Sequence, residues 1–292
     1  MSAKQKAILL MLLSTLSFSV MQLIVKLSSG AIPIMEQVFA RNFVTLLLSL
    51  FLILKNKELF FGKKGNRLAL LGRSIFGYIG VVGYFYATAN MNVADASLLH
   101  RSSPFFVILF SAIFLHERLR RFQVVALLLA FGGSVLVINP SFDSAVVPAL
   151  IGALSAAGAG AAYVIINVLK GRESNSTIIF CFSLLSCVVS VITGGATFIL
   201  PRGVEWLMLL GIGVFAGIGQ ITLTQAYKMT NPGEVSIINY LGIIFSAIFG
   251  LVFLSEMINL RSFLGMVLIF SAALLLYFWR ESKRSAPARE TN

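Results

Sequence analysis

The sequence contains few charged residues and almost no polar stretches. Of its 292 residues only 12% are charged and 58% are hydrophobic, whereas an ordinary soluble domain is roughly 25% charged. The longest polar interval, residues 55–73, still contains Leu59, Phe60 and Phe61. Because no soluble domain fits between the apolar runs, we expect the function of the chain to lie within a lipid bilayer.

Cysteines and buried carboxylates are also scarce. Cys181 and Cys187 lie six residues apart in one apolar segment, a spacing that favours packing over a disulfide or a metal site. None of the eleven acidic residues lies at the middle of an apolar run. The sequence thus lacks the paired carboxylates of acid–base catalysis and the acidic clusters of magnesium-dependent enzymes. We therefore predict that the protein is not an enzyme and holds no metal or cofactor.

Apolar runs of about 18 to 22 residues fill most of the chain. A hydrocarbon core of about 30 Å requires about 20 helical residues per crossing, and continuous rather than alternating runs exclude a transmembrane barrel. We predict an all-α membrane protein with ten transmembrane helices, at about residues 6–27, 34–54, 72–91, 95–115, 122–139, 147–169, 176–199, 206–227, 234–254 and 262–279. The first run is interpreted as a span rather than a signal peptide, because no small-residue cleavage site precedes a polar domain.

The net charge of +12 follows the predicted topology. If both termini are cytoplasmic, 18 of the 23 Lys and Arg residues fall on the cytoplasmic side, with Arg73 counted among them at the start of the third span. Only Lys26, Arg202 and Arg261 fall on the other side, as the positive-inside rule requires. We therefore expect a multi-pass membrane protein that contacts anionic lipids, and no nucleic-acid partner.

Residues 94–119 recur, without a gap, 139 positions later at residues 233–258. Over this stretch and the span before it, twelve identities fall in 46 positions; those in the first copy are Gly72, Phe76, Ile79, Gly80, Ala87, Asn92, Ser97, Phe106, Phe110, Phe114, Leu115 and Glu117. Since each half has five spans, an odd number, the second half must start on the opposite side of the membrane. We predict two inverted five-helix repeats, at 6–139 and 147–279, an architecture typical of secondary transporters with a site near the midplane.

Several motifs resemble those of a known family. They are Pro33 followed by Arg41 in the second span, the stretch YFYATANMNVADASLLHRSSPFFVILFSAIFLHERLRRFQ from Tyr84, GGSVLVINP at the end of the first repeat and LSEMINLRSFLG in the second. The chain resembles the drug/metabolite transporter superfamily, in particular the bacterial ten-span carriers with two EamA-type repeats. The resemblance implies a carrier of small metabolites in the inner membrane, with cytoplasmic termini and a central cavity lined by spans 1, 3, 4, 6, 8 and 9. Family members more usually have an apolar start to the fourth span, where this chain has His100 and Arg101.

Arg41 and Arg101 are the two basic residues inside the predicted spans. An ionised side chain near mid-bilayer costs roughly 2.5 kcal/mol or more unless it meets a partner or water. Both spans start from the outer face, so at about 1.5 Å per residue each arginine lies roughly 10 Å deep. Either residue could hold the carboxylate or phosphate of a substrate. The alternative is an ion pair, of Arg41 with Glu36 or of Arg101 with Asp95 or Glu36.

His100 is either a packed neutral histidine or, if transport is coupled to protons, the group that carries them. Pro104, one turn later, removes a backbone donor and is a candidate hinge. In the second repeat Asn239 and Tyr240 replace His100 and Arg101. Polar side chains in other spans could line a substrate site, although they are equally typical of helix packing; they are Gln22, Tyr84, Tyr163, Asn167, Gln220 and Gln225.

These observations predict a secondary transporter that moves a small anionic or zwitterionic metabolite by alternating access. The expected substrate is an amino acid or a derivative, or else a methylated or nucleoside-containing metabolite. The alternatives are a broad-specificity exporter of amphipathic compounds and a non-transporting membrane scaffold or lipid-handling protein. Internal symmetry and intramembrane arginines favour the transporter. We expect a small-molecule substrate and membrane lipids as partners, and both a monomer and a homodimer are compatible with the sequence.

Overall fold

Helices make up almost all of the chain that the structure describes. In the computed structural model this part comprises residues 3–114, 121–138, 146–169, 171–229 and 240–284. Its eleven α-helices are α1 (Ala3–Ser28), α2 (Ile34–Asn56), α3 (Arg67–Asn90), α4 (Val93–His100), α5 (Ser103–Phe114), α6 (Arg121–Ile138), α7 (Val146–Leu169), α8 (Asn175–Gly194), α9 (Val204–Met229), α10 (Leu241–Leu254) and α11 (Leu260–Arg284). A short 3₁₀ turn, Lys64–Asn66, precedes α3, and no strand occurs in these ranges.

The helices confirm an all-α membrane fold with about ten spans. Six of them are long and apolar enough to cross a bilayer, namely α1, α2, α3, α7, α8 and α9. Shorter apolar helices correspond to α6, α10 and α11, and α4 and α5 together occupy the predicted fourth span. The predicted ninth span is described only from Tyr240 onward, so the candidate Asn239 lies outside the described residues.

The fourth span is broken rather than continuous. α4 ends at His100, and α5 begins at Ser103. The amide of Arg101 still donates to the Ser97 carbonyl at 3.0 Å, but the amide of Ser102 donates to Leu99, only three residues back. Pro104 is the second residue of α5, where the helix does not need its missing N–H. The kink predicted from the proline is therefore a complete break two residues long, in the middle of the span.

Helix packing shows the same pairs in both halves of the chain. A shift of 139 positions maps α1, α2, α3, α5 and α6 approximately onto α7, α8, α9, α10 and α11. Correspondingly, α3 packs on α7 and α9 on α1, α8 packs on α3 and α2 on α9, and α5 packs on α7 and α10 on α1. The equivalent helices α2 and α8 pack on each other, as do α6 and α11. This exchange symmetry is what two copies of one five-helix unit produce when they face each other.

Glycines allow α3 and α7 to approach closely. A Cβ on Gly80 would lie 3.0 Å from the Ala159 nitrogen, and a Cβ on Gly158 would lie 3.0 Å from the Gly80 nitrogen. In the other half, Gly219 is the equivalent of Gly80. A Cβ on Gly219 would lie 2.9 Å from the Phe18 ring of α1. Larger side chains at these positions would push the helices apart.

A carboxylate from the second half fixes the start of α4. Glu256 follows α10 and its Oε2 accepts a hydrogen bond from the Val93 amide at 2.8 Å, which satisfies a first-turn amide that the helix leaves unpaired. Lys26 lies 3.7 Å from the other Glu256 oxygen and also donates to the carbonyls of Ala89 and Met91. α4 is buried along its length, so its last residues, at the break, are held firmly between the halves.

Candidate functional site

The Arg101 side chain extends from the break between α4 and α5 to the first turn of α10. Its Nε donates to Ser97 Oγ at 3.2 Å. Its Nη2 occupies the place where a Cβ on Gly242 would lie, so only glycine fits beneath the guanidinium. The Gly242 carbonyl accepts a hydrogen bond from Ser19 Oγ of α1 at 3.3 Å. Arg101 therefore lies where α1, α4 and α10 meet.

Two helices begin near Arg101, one close in the chain and one against its guanidinium. α5 starts two residues after Arg101, and α10 starts one residue before Gly242. The side chain of Tyr240, which precedes α10, makes no capping hydrogen bond to that helix. First-turn amides carry partial positive charge, and Arg101 adds a full one. The position therefore favours an anionic group.

His100, the residue before Arg101, is held against α3 and α7 by ring stacking and a hydrogen bond. Its ring stacks on Tyr84 of α3, with centroids 4.0 Å apart and an interplanar angle of 9°. Its Nδ1 lies 3.1 Å from Ser155 Oγ of α7. Because the Ser155 hydroxyl donates to the Gly152 carbonyl at 2.6 Å, we assign the Nδ1–H tautomer, in which the imidazole donates to Ser155. The ring is thus well packed, and its role as a proton carrier stays a prediction.

Tyr84 presents an unsatisfied hydroxyl close to Arg101. The side chain is only 7% exposed. Its hydroxyl faces Ser97 and the Arg101 charge but makes no hydrogen bond of acceptable geometry to any described residue. A buried polar group left unpaired costs about 1–3 kcal/mol. This hydroxyl is consequently available to a polar group bound beside Arg101.

Arg41 lies in a different environment from Arg101. Its Nη1 donates to Asn42 Oδ1 at 2.8 Å, and its guanidinium carbon lies 5.7 Å from the centre of the Phe182 ring of α8. The ion pair with Glu36, one of the two alternatives, is not formed among the described residues, because Glu36 Oε2 accepts from the Ile199 amide at 3.2 Å. Asp95, one of the candidate ion-pair partners of Arg101, accepts a hydrogen bond from Ser262 Oγ at 3.0 Å.

Arg73 is a residue that the sequence analysis missed. It was counted with the cytoplasmic charges, at the start of the predicted third span, whereas α3 begins at Arg67 and places Arg73 nearly two turns inside the helix. Its guanidinium carbon lies 4.1 Å from the centre of the Phe182 ring, and its Nη1 fills space left by Gly77. Polar residues before α3 hid the helix start from the hydropathy pattern.

The remaining polar candidates are dispersed. Tyr163 of α7 is 45% exposed and lies within electrostatic range of Arg41 and Arg73. Gln22 is buried and its Oε1 accepts from Ser246 Oγ at 3.1 Å, which joins α1 to α10. This contact supports helix packing for Gln22.

The other candidates differ in burial, and one has its side chain outside the described part of the chain. Tyr240 is buried and packs edge-on against Phe270, with ring centroids 6.4 Å apart. Gln220 is half-buried in α9, whereas Gln225 is exposed. Asn167 belongs to α7, but its side chain lies outside the described part of the chain.

Comparison with known proteins gives the family. A family model described as the EamA-like transporter family matches residues 5–139 and 146–278. These two segments span nearly the whole chain. The protein belongs to the EamA-like transporter family. It is therefore a multi-pass membrane transporter, and the predicted resemblance is confirmed.

Individual EamA relatives and a solved structure agree. The pseudopaline exporter CntI of Pseudomonas aeruginosa is 37% identical over 274 residues, which cover 93% of this chain and 96% of the exporter. Human solute carrier family 35 member G1 is 28% identical over 261 residues, covering 84% of this chain and 71% of that protein. A protein of known crystal structure is 20% identical in sequence and superposes with a TM-score of 0.59. The match covers 94% of this chain and 99% of that protein. This last likeness supports the fold.

Proposed function

We propose that this transporter moves a small anionic or zwitterionic metabolite by alternating access. The observation that carries the proposal is the Arg101 guanidinium, which lies against the first turn of α10 at a break in the membrane-embedded fourth span. Helix breaks that direct half-helix N-termini at a midplane site are a recurring way to bind anionic substrate groups in secondary transporters. Amino acids and their derivatives are the leading substrate class, with methylated or nucleoside-containing metabolites behind them.

The substrate site we propose has one charged and one neutral wall. Arg101 binds the anionic group, the free Tyr84 hydroxyl accepts or donates a hydrogen bond, and His100 holds the Tyr84 ring by stacking. Tyr240 supplies an aromatic surface from the second half. Tyr163, Asn167 and Gln220, together with Gln22 and Asn239, remain candidates further along the cavity.

Transport in this proposal follows from the symmetry of the fold. The halves, 6–139 and 147–279, are the inverted repeats that rock against each other. Pro104 is the second residue of α5, directly after the break, and its missing N–H removes one backbone hydrogen bond that would resist a change of angle, so it serves as the hinge. With both termini in the cytoplasm of a bacterial cell, the protein would lie in the inner membrane. By similarity to the pseudopaline exporter we propose export as the direction.

The decisive experiment is a ligand screen with the purified protein. We expect a subset of anionic or zwitterionic metabolites in a thermal-shift library to stabilise the wild-type protein and to be transported in proteoliposomes. Arg101→Gln should abolish both effects, whereas Arg202→Gln, which removes an exposed arginine from the outer loop, should change neither. If Arg101→Gln leaves stabilisation and flux unaltered for every metabolite that the wild-type protein moves, Arg101 does not bind the substrate and the proposal is refuted. If no metabolite stabilises the wild-type protein or is transported by it, the scaffold alternative gains.

A further inference from the structure

Two arginines from different helices approach one aromatic ring. The Arg73 guanidinium carbon lies 4.1 Å and the Arg41 guanidinium carbon 5.7 Å from the centre of the Phe182 ring. The sum of these distances limits the separation of the two guanidinium carbons to about 10 Å. Three helices, α2, α3 and α8, therefore bring two like charges together within the membrane.

These charges have no carboxylate beside them. Among the described residues no Asp or Glu oxygen lies within 4 Å of either guanidinium, and the groups in electrostatic range are Tyr163, Cys181 and Cys187. Nε and Nη1 of Arg73 are buried and make no hydrogen bond in this part of the chain. Arg41 is 8% exposed, and among the described residues its side chain is hydrogen-bonded to Asn42.

Stacking on an aromatic ring does not compensate for this burial. A desolvated cation–π contact contributes about 2 kcal/mol, whereas removing an ion from water costs several kcal/mol even after the protein relaxes. Mutual repulsion of the two guanidinium groups adds to that cost. An arrangement of this kind is stabilised when an anionic group binds between the charges and accepts the unused N–H donors.

The pair is connected to the Arg101 site. His100 lies within electrostatic range of both Arg41 and Arg101, and α3 carries Arg73 near one end and Tyr84 towards the other. Three buried or half-buried arginines thus lie in the first half of the protein, two of them within electrostatic range of His100.

We propose that Arg41 and Arg73, both beside the Phe182 ring, bind a second anionic group of the substrate, so that the transported metabolite carries at least two carboxylate or phosphate groups. This inference rests on the proposed function, because it assumes that Arg101 holds the first anionic group. It narrows the substrate class from any small anion or zwitterion to a dianion or polyanion.

Thermal-shift titrations can test the inference with ligands of matched length. The probes are the dicarboxylates succinate, glutarate and adipate and their monocarboxylate counterparts butyrate, valerate and hexanoate. The phosphate arm compares 3-phosphoglycerate, which carries a phosphate and a carboxylate, with glycerol 3-phosphate, which carries the phosphate alone. We expect the wild-type protein to bind at least one dianion about tenfold or more tightly than its monoanion, since each group forms charge-assisted hydrogen bonds.

Arg73→Gln should remove that preference and leave the monoanion response, which depends on Arg101, unchanged. The ligand-free variant should also melt at a higher temperature, because an uncompensated buried charge is gone. Arg67→Gln removes an exposed arginine from the same helix and serves as the matched control. Gly77→Ala keeps both charges but crowds Arg73 Nη1, which lies 2.8 Å from the added Cβ, and should weaken dianion binding in a second, independent way.

A purely structural role for the pair predicts different results. Arg73→Gln would then lower the melting temperature and leave the ratio of dianion to monoanion affinity as in the Arg67→Gln control. That outcome overturns the second anion site but leaves the Arg101 proposal intact. A wild-type protein that responds to monoanions and dianions equally also overturns it. If no anion is bound through Arg101, both proposals are wrong.

Discussion

The glycine beneath Arg101 offers a way to test the site without removing a charge. In Gly242→Ala the new Cβ would lie 2.9 Å from Arg101 Nε and still closer to Nη2 and Cζ. These atoms must move, because Cβ contacts below 3.0 Å are essentially never seen. The displacement breaks the hydrogen bond from Nε to Ser97 Oγ and moves the guanidinium away from the start of α10.

The expected loss is that of one hydrogen bond to a charged group. Such bonds contribute about 1.5–3 kcal/mol, and about 1.4 kcal/mol corresponds to a tenfold change in Kd. Gly242→Ala should therefore weaken substrate binding by about 10- to 150-fold. The stability of the ligand-free protein should change little, because alanine favours a helix over glycine by about 1 kcal/mol and offsets part of the steric strain.

The assay is a thermal-shift titration with the metabolite found in the library screen, followed by flux measurements in proteoliposomes. Gly132→Ala is the matched control, since Gly132 is also helical and a Cβ there meets nothing within 4 Å. Unchanged affinity in Gly242→Ala, with a melting temperature equal to that of the control, would show that Arg101 is not positioned for binding and would refute the reasoning.

Three further substitutions test the surroundings of the site. Tyr84→Phe removes a hydroxyl that has no hydrogen-bond partner in the described part of the chain, so the melting temperature should hold or rise while substrate affinity falls about tenfold; a drop in stability would contradict this. Gly80→Ala places a Cβ 3.0 Å from the Ala159 nitrogen, and thermal melting should show a loss of about 1–3 kcal/mol in stability. An unchanged melting temperature would show that α3 and α7 can separate freely. Glu256→Gln weakens the cap on the Val93 amide and should cost about 0.5–2 kcal/mol, whereas full stability would mean that water replaces the carboxylate.

The overall architecture could be predicted from sequence because the bilayer imposes one dominant pattern. Continuous apolar runs, the distribution of basic residues and the repeat at 139 positions led to ten helical spans, and the structure confirms about ten. Helix ends were less certain where polar residues begin a helix. α3 starts at Arg67 rather than near residue 72, since hydropathy does not separate a polar first turn from a loop.

The candidate site was only partly predictable. Arg101 and Pro104 stand out because a charge and a proline interrupt an apolar run, and both lie at the break between α4 and α5. The contacts that give these residues meaning depend on distant partners. Gly242 accommodates the Arg101 guanidinium and Phe182 lies beneath Arg73, yet neither glycine nor phenylalanine is unusual in a membrane helix. Tertiary packing alone identifies them.

The repeat separates the residues that build the fold from those that carry charge. Gly80 and Gly219 occupy equivalent positions and both allow close helix contacts. All three arginines within the first-half spans have uncharged counterparts 139 positions later: Arg41, Arg73 and Arg101 correspond to Phe180, Ile212 and Tyr240. An anion bound by the arginines would therefore stay with the first half while the apolar second half moves past it.

We expect Arg101→Gln to weaken binding from both sides of a proteoliposome, whereas Tyr240→Phe should alter the rate of flux and leave affinity nearly unchanged. Equal losses of affinity in both variants would show instead that the two halves share the anion.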